Sequence, residues 1–167
     1  MDPLDDMEDP GFDEPEAEID ALTLLREDHQ EVLALFEAFQ RASGNDRRQE
    51  LAQRICQLLT AHAQIEEEIF YPAVRAAVME QDLLDDAEVE HAVTKELVEE
   101  IQSTDVGEAL FDAKVRVLGE YVRHHVGIEE DELFGLIEIA DVDLDRLGQE
   151  LVTRRRELLG SDIEMAR

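Results

Sequence analysis

His62-Ala63-Gln64-Ile65-Glu66-Glu67-Glu68-Ile69-Phe70-Tyr71-Pro72 and, further along, His125-Val126-Gly127-Ile128-Glu129-Glu130 are the stretches on which the reading of this chain turns. Four residues on an α-helix amount to about 400° of rotation, so the histidine and glutamate of each His-x-x-x-Glu stretch lie about 40° apart on one face. Each stretch therefore offers one imidazole and one carboxylate to the same place. Two further histidines stand at matching distances upstream: His29 precedes His62 by 33 residues and His91 precedes His125 by 34, while Glu66 and Glu129 are 63 apart. The chain reads as two copies of a helix pair. Folded as an antiparallel bundle, such a duplication brings four histidines and two carboxylates into the core around an approximate two-fold axis. Two metal ions with two shared carboxylates need that set of ligands.

The sequence around these stretches is helical throughout. Leu22, Leu25, Val32, Leu33 and Phe36 recur at helical spacing from about Asp20 to Ala42, where Ser43-Gly44-Asn45 ends the first helix. A second helix runs from about Asp46 to Tyr71 with Ile55, Leu58, Leu59, Ile65 and Ile69 inward. Pro72 lacks an amide donor, so a kink or break is expected before a short continuation to Val78. The third helix is expected to start at Asp85 or Asp86, either of which can cap it, and to reach Gln102; the fourth runs from Gly107 to Ile139. Short connections force neighbouring helices to be antiparallel, so the fold class is all-α, an up-down-up-down four-helix bundle over residues 20–140. A fifth, C-terminal helix from Asp143 to Leu159, within residues 141–167, carries Leu144, Leu147, Leu151 and Leu158 on one stripe to pack on the bundle. Its Arg154-Arg155-Arg156 run sits near the expected helix end, where cations complement the dipole.

Composition narrows the partners. Residues 1–19 belong to a leader that, counted to Asp20, holds ten acidic side chains, no basic ones and three of the four prolines, and it reads as an acidic disordered tail. A formal net charge of -29 repels phosphate backbones and anionic lipid surfaces, so neither nucleic acid nor membrane is an expected partner. The first residues offer no basic and apolar leader, and no later segment is apolar for long enough to cross a bilayer, which points to a cytoplasmic protein. Cys56 stands alone, has no internal disulfide partner, and reads as a small core residue.

A single His-x-x-x-Glu pair is often an ordinary surface hydrogen bond, and a lone histidine on an apolar stripe is usually a core residue. Here all four histidines fall on apolar stripes, with Leu25, Leu33 and Phe36 around His29 and Leu118, Val122 and Leu133 around His125. Buried carboxylates without positive partners cost several kcal/mol each, and metal ions supply that charge. Mixed imidazole and carboxylate ligands suit iron, manganese or zinc; magnesium and calcium prefer oxygen cages, and a structural zinc site would draw on cysteine. A carboxylate-bridged pair favours iron. The ferritin-like arrangement requires two Glu-x-x-His motifs, and only Glu88-Val-Glu-His91 has that spacing.

His29, His62-x-x-x-Glu66-Glu67-x-Ile-Phe-Tyr-Pro72, His91 and His125-x-x-x-Glu129-Glu130 together resemble the hemerythrin-like, or HHE cation-binding, domain over roughly residues 20 to 139. The resemblance implies a non-haem di-iron site in which His29 and His62 bind one iron, His91 and His125 the other, and Glu66 and Glu129 bridge them beside a solvent-derived oxo or hydroxo group. It further implies binding of, or reaction with, dioxygen, nitric oxide or peroxide. Oxygen or redox sensing, storage, peroxide-consuming oxidoreductase activity and iron handling all remain open. Oxygen-carrying hemerythrins place a further histidine four residues after the third-helix one, where this chain has Lys95; its ammonium either points into the cavity or snorkels to solvent among glutamates. Leu133-Phe134-Gly135 replaces Phe70-Tyr71-Pro72 in the second copy, which is expected to alter the kink and leave the ligands intact.

Tyr121 lies one turn before His125 and is a candidate donor to the site or a packing residue. His124 is rotated about 100° from His125 and is left outside, while Glu67 and Glu130 turn off the ligand face toward solvent or neighbours. Because the acidic leader contributes no apolar face, deleting residues 1 to 17 is expected to leave helicity and metal content unchanged; circular dichroism and elemental analysis of the truncated protein check this.

Overall fold

Asp20 opens the first helix by accepting the amide hydrogen of Thr23 at 2.8 Å, an N-cap that satisfies one of the donors left free at a helix start. The structure, a computed structural model, describes residues 19–165, with side chains through residue 160; apart from Ile19, the expected acidic tail lies outside the described residues. Helix α1 spans Ala21–Arg41. Gly44, at a φ of 92°, turns the chain into α2, Asn45–Ile65, which passes through a π-helical turn, Glu66–Phe70, and ends as Tyr71–Arg75. Helix α3 spans Gln81–Gln102. Helix α4 spans Phe111–Ile128, passes through a second π-helical turn, Glu129–Leu133, and ends as Phe134–Glu138. Helix α5, Leu144–Met165, follows.

The first four helices form a square bundle, in which α1 packs on α2 and α4, and α3 packs on α4 and α2. Helix α5 lies outside it against α1, α2 and the first π turn. Two apolar clusters fill the bundle. One contains Leu25, Ile65, Phe70, Val74, Leu84, Phe134 and Ile137; the other contains Val32, Phe36, Ile55, Leu59, Val98, Val115 and Leu118. Between them, on each of the four bundle helices, sit the buried polar residues Asp28, His29, Glu66, His91, His125 and Glu129, with the half-buried His62. A polar belt thus crosses a core that is otherwise aliphatic and aromatic.

Several sequence expectations need correction. Pro72 does not break the second helix: the Tyr71 amide reaches back five residues to the Glu66 carbonyl, and the helix runs on through Pro72 to Arg75. The second copy, with glycine in place of proline, makes the same kind of turn: the Phe134 amide reaches back five residues to the Glu129 carbonyl. That helix ends at Arg75 rather than Val78. Helix α3 begins four residues earlier than Asp85, with Gln81 folding its amide onto the carbonyls of Arg75 and Val78, while Asp85 is engaged by Arg75 at 2.9 Å. Helix α4 starts at Phe111, since Gly107 takes a φ of 97° that ends one turn rather than beginning a helix.

The arginine run of α5 is also not at a helix end, as the helix continues to Met165; Arg154 instead binds Glu68, and Arg155 binds Asp28 and Glu31. Of the expected leucine stripe, Leu147 and Leu151 are buried; Leu159 is buried beside the half-buried Leu158 and packs on Leu58 and Ala61. Gly148 lets α5 approach the entry to α1 so closely that a β-carbon there would stand 2.2 Å from the Ile19 carbonyl oxygen.

Gly148→Ala is accordingly expected to destabilise the protein by ~1–3 kcal/mol through overpacking. Gly135→Ala, a helical position with open space around the new methyl, should stabilise it by up to ~1 kcal/mol. Thermal denaturation of the two variants beside the parent checks both signs.

Candidate metal centre

The polar belt holds all six residues singled out from the sequence. Glu66 lies fully buried at the start of the first π turn and Glu129, 2% exposed, at the start of the second. Such a turn inserts one residue into the ladder and re-aims the side chains after it, and here it separates each buried glutamate from the aromatic residue five positions on. Glu66 Oε1 lies 3.0 Å from His62 Nε2 and 3.3 Å from His91 Nε2. Glu129 places Oε1 3.4 Å from His29 Nε2 and Oε2 3.2 Å from His125 Nε2. Each carboxylate therefore faces histidines on two different helices.

All four imidazoles are held the same way round. His29 Nδ1–H donates to Glu130 at 3.2 Å, His62 Nδ1–H to Asp28 at 3.1 Å, His91 Nδ1–H to Glu67 at 3.3 Å, and His125 Nδ1–H to Glu90. With Nδ1 committed as donor, a neutral imidazole directs its lone pair through Nε2, and these four lone pairs converge on the belt. The consequence is clearest at His29 and His62, whose Nε2 atoms face each other at 3.1 Å. In the neutral form two acceptors cannot satisfy one another, so either one of them carries a proton or both face a cation. Glu66 Oε1 and Oε2, Glu129 Oε1 and His125 Nε2 are likewise buried without a hydrogen-bond partner among the described residues. Unpaired buried acceptors of this kind call for a positive charge at their focus.

The ligand atoms fall into two overlapping groups, His29, His62, Glu66 and Glu129, and Glu66, His91, His125 and Glu129; within each, they lie within 4.8 Å of one another. The two groups share both glutamates. Nitrogen and carboxylate donors in this ratio fit a borderline transition-metal cation, so the residues present fit a pair of such ions.

The electrostatics of the site favour cations. Burial opposes charge on His91, but the carboxylates of Glu66 and Glu67 beside it, with Glu129, push it up to about 9. Burial is similarly overcome at His62 by Glu66 and Asp28, which hold it well above the usual imidazole range, and at His125 by Glu129 and Glu66. Glu129 is kept well below the usual carboxylate range despite its burial. Without metal, protons on the histidines supply the compensating charge, and metal uptake must displace them.

Three kinds of residue have roles that sequence reading did not assign. Asp28 and Glu90, each immediately before a histidine, orient the histidine of the next helix rather than their own neighbour. Glu67 and Glu130, expected to turn away, do leave the ligand face but bond His91 and His29 across the bundle. The doubled signature is thus acidic-His followed by His-x-x-x-Glu-Glu, a regularity present in the sequence. Tyr71 is the third: 1% exposed, it donates to Glu129 Oε2 at 2.7 Å and stands 3.2 Å from His91 Nε2. Tyr121, the tyrosine singled out from sequence, is half-buried near Glu90 instead. Lys95 is exposed near Glu67, His124 is exposed, Glu88 pairs with Arg75, and Cys56 is buried in the second apolar cluster, where burial pushes its thiol up to about 11.

Fold and site define the class as a metal-binding helical bundle with a buried centre of imidazoles and carboxylates. Residues 20–137 match the hemerythrin HHE cation binding domain, and the chain belongs to that family. Over 117 residues it is 37% identical to a protein of Nostoc sp. (strain PCC 7120 / SAG 25.82 / UTEX 2576) named DNA nickase. That match takes in 68% of this chain and 32% of the relative, so the chain spans about a third of that protein's length. Its fold is similar to the crystal structure of a hemerythrin HHE cation binding domain-containing protein from Mycobacterium kansasii, with a TM-score of 0.75, 23% identity, and coverage of 87% of this chain and 91% of that one. No helix among the described residues is long and apolar enough to cross a membrane.

The shift of His91 fixes the sign of a pH effect on the metal-free protein. Its pKa is raised from 6.5 to about 9, so the stability it contributes is full below about pH 6.5 and is lost as pH rises to about 9. A shift of that size corresponds to roughly 3 kcal/mol at one site. Denaturant unfolding of the apo protein is expected to show stability falling from pH 6.5 to 9, whereas the metal-loaded protein should gain relative to it over the same range.

Proposed function

We propose that the protein is a non-haem di-iron, hemerythrin-like protein that binds or reacts with a small ligand, dioxygen, nitric oxide or peroxide, in oxygen or redox sensing or storage. One ion is held by His29 and His62, the other by His91 and His125, and Glu66 and Glu129 serve both. The observation that carries this reading is the convergence of four Nε2 atoms on two shared carboxylates, three of whose four oxygens are buried without a hydrogen-bond partner among the described residues, inside an apolar bundle. Iron held there would supply a redox-active cation to which such a ligand could bind.

The chain's own residues set the conditions around that position. Asp28, Glu67, Glu90 and Glu130 fix the imidazole planes and keep the protons on Nδ1. Phe134 stacks on His29, with ring centroids 6.2 Å apart, and excludes water from that side. Tyr71 occupies the corresponding place beside His91 and adds a hydroxyl. Burial and the carboxylates of Glu129 and Glu66 raise its pKa well above the ordinary phenol value, so it keeps its proton at neutral pH and holds it on the Glu129 carboxylate. A proton held at the centre of the site supports the second reading, an oxidoreductase that consumes peroxide or oxygen. Simple iron handling is the third reading.

The nickase name belongs to a relative about three times as long as the matched region. For this chain, the net charge of -29 opposes docking on a phosphate backbone, and nucleic acid is not part of the proposal.

Fully loaded protein is expected to hold about two irons per chain by elemental analysis. Glu66→Gln or Glu129→Gln should lower that count, and His124→Ala should leave it at two. A plateau at one ion would rule out the shared-carboxylate arrangement. Ferrous protein prepared without oxygen and then exposed to it distinguishes the readings optically: a reversible spectral change indicates binding, sustained peroxide consumption an enzyme, and neither indicates handling. Tyr71→Phe should retain two irons while changing the ligand dissociation rate by ~10-fold or more.

A further inference from the structure

Each of the four histidines has a carboxylate behind it, but the four carboxylates are not equally held. Asp28 is 9% exposed and uses both oxygens: Oδ2 accepts from His62 Nδ1 at 3.1 Å, and Oδ1 accepts from Arg155 Nε at 2.8 Å. Arg155 also reaches Glu31 at 3.3 Å, and its neighbour Arg154 grips Glu68, two residues beyond Glu66, at 2.9 Å. One turn further, Leu159 packs on Leu58 and Ala61, the latter adjacent to His62. The counterpart of Asp28 in the second copy is Glu90, which holds His125 from α3 with a side chain 19% exposed, while α5 packs on α1 and α2.

We propose that Arg155 of α5 is a positioning residue for the His29 and His62 half of the metal centre, so that the C-terminal helix, beyond the matched domain, tunes one ion of the pair and not the other. The proposal rests on the di-iron reading above. A carboxylate with one oxygen free can rotate about its Cβ–Cγ bond and carry the imidazole hydrogen bond with it. A carboxylate clamped at both oxygens holds its plane, and with it the direction of the His62 lone pair. The clamp comes from α5, whose register is set by Gly148 against the start of α1 and by Leu151 and Leu159 in the core. Movement of α5 would therefore be transmitted to His62 through two side chains.

The test is an anaerobic Fe(II) titration of the apo protein against a chromophoric chelator, which yields two stepwise affinities. Arg155→Ala is expected to weaken one of them by about 10- to 100-fold, the usual effect of removing a group that orients a metal ligand, and to leave the other within about twofold. Single-ion backgrounds assign the half: in His125→Ala, where the His29 and His62 half remains, the Arg155 change should weaken the remaining ion, and in His62→Ala it should not. Arg155→Lys, which keeps the charge but offers a different donor geometry, should fall between; where the alanine variant unfolds, Arg155→Gln carries the same comparison. Equal weakening of both ions, or of neither, overturns the positioning role while the di-iron reading stands. Failure of the unmodified protein to take up two ions overturns both.

Discussion

Two fully enclosed carboxylates, Glu66 and Glu129, impose the constraint to which the rest of this molecule answers. In an aliphatic core a carboxylate is tolerated only with positive charge at hand, and two of them facing the same space double the demand. The bundle meets it with four imidazoles whose outer nitrogens are tied to carboxylates and whose inner nitrogens all point at the same belt. The arrangement is neutralised by protons when no cation is present and by cations when they are. This explains why the belt separates two apolar clusters instead of dissolving into one, since any helix that slid along its neighbour would strand a charge in the core.

The π turns follow from the same constraint. Both begin at one of the two buried glutamates, one with a proline after it and one without, so proline is not their cause. What the two have in common is the need to direct a glutamate inward and, five residues later, an aromatic ring against the histidine of another helix: Tyr71 beside His91 and Phe134 beside His29. An uninterrupted α-helix carries five residues through about 500°, which leaves the two side chains well off a common line. The extra residue in the turn corrects that.

Approximate symmetry makes the departures from it informative. One half of the centre has a tyrosine hydroxyl and a partly exposed supporting glutamate; the other has a phenylalanine ring and an aspartate bound to an arginine of α5. A duplicated set of candidate ligands is thereby made inequivalent by the residues around it. The difference between the two halves is located in named side chains.

The helices, the histidine and glutamate positions and the two-copy organisation were all legible in the sequence, because a periodicity of four residues and a spacing of about sixty are properties of the chain itself. The helix starts at Gln81 and Phe111 were not, since Gln81 folds onto carbonyls of the preceding turn and Gly107 turns the chain before α4 can begin. The choice of Tyr71 over Tyr121 also depended on the π turn, which no propensity signals. Asp28 and Glu90 were visible as acids beside histidines, but a residue one position along a helix faces about 100° away from its neighbour, so each serves a histidine on another helix that only packing brings near. The role of Arg155 was beyond sequence reading altogether: its bond to Asp28 spans 127 residues and exists only because α5 docks on α1 and α2. Local spacing determined which groups this protein would bury; tertiary packing decided which group orients which, because hydrogen-bond partners are chosen by distance in space.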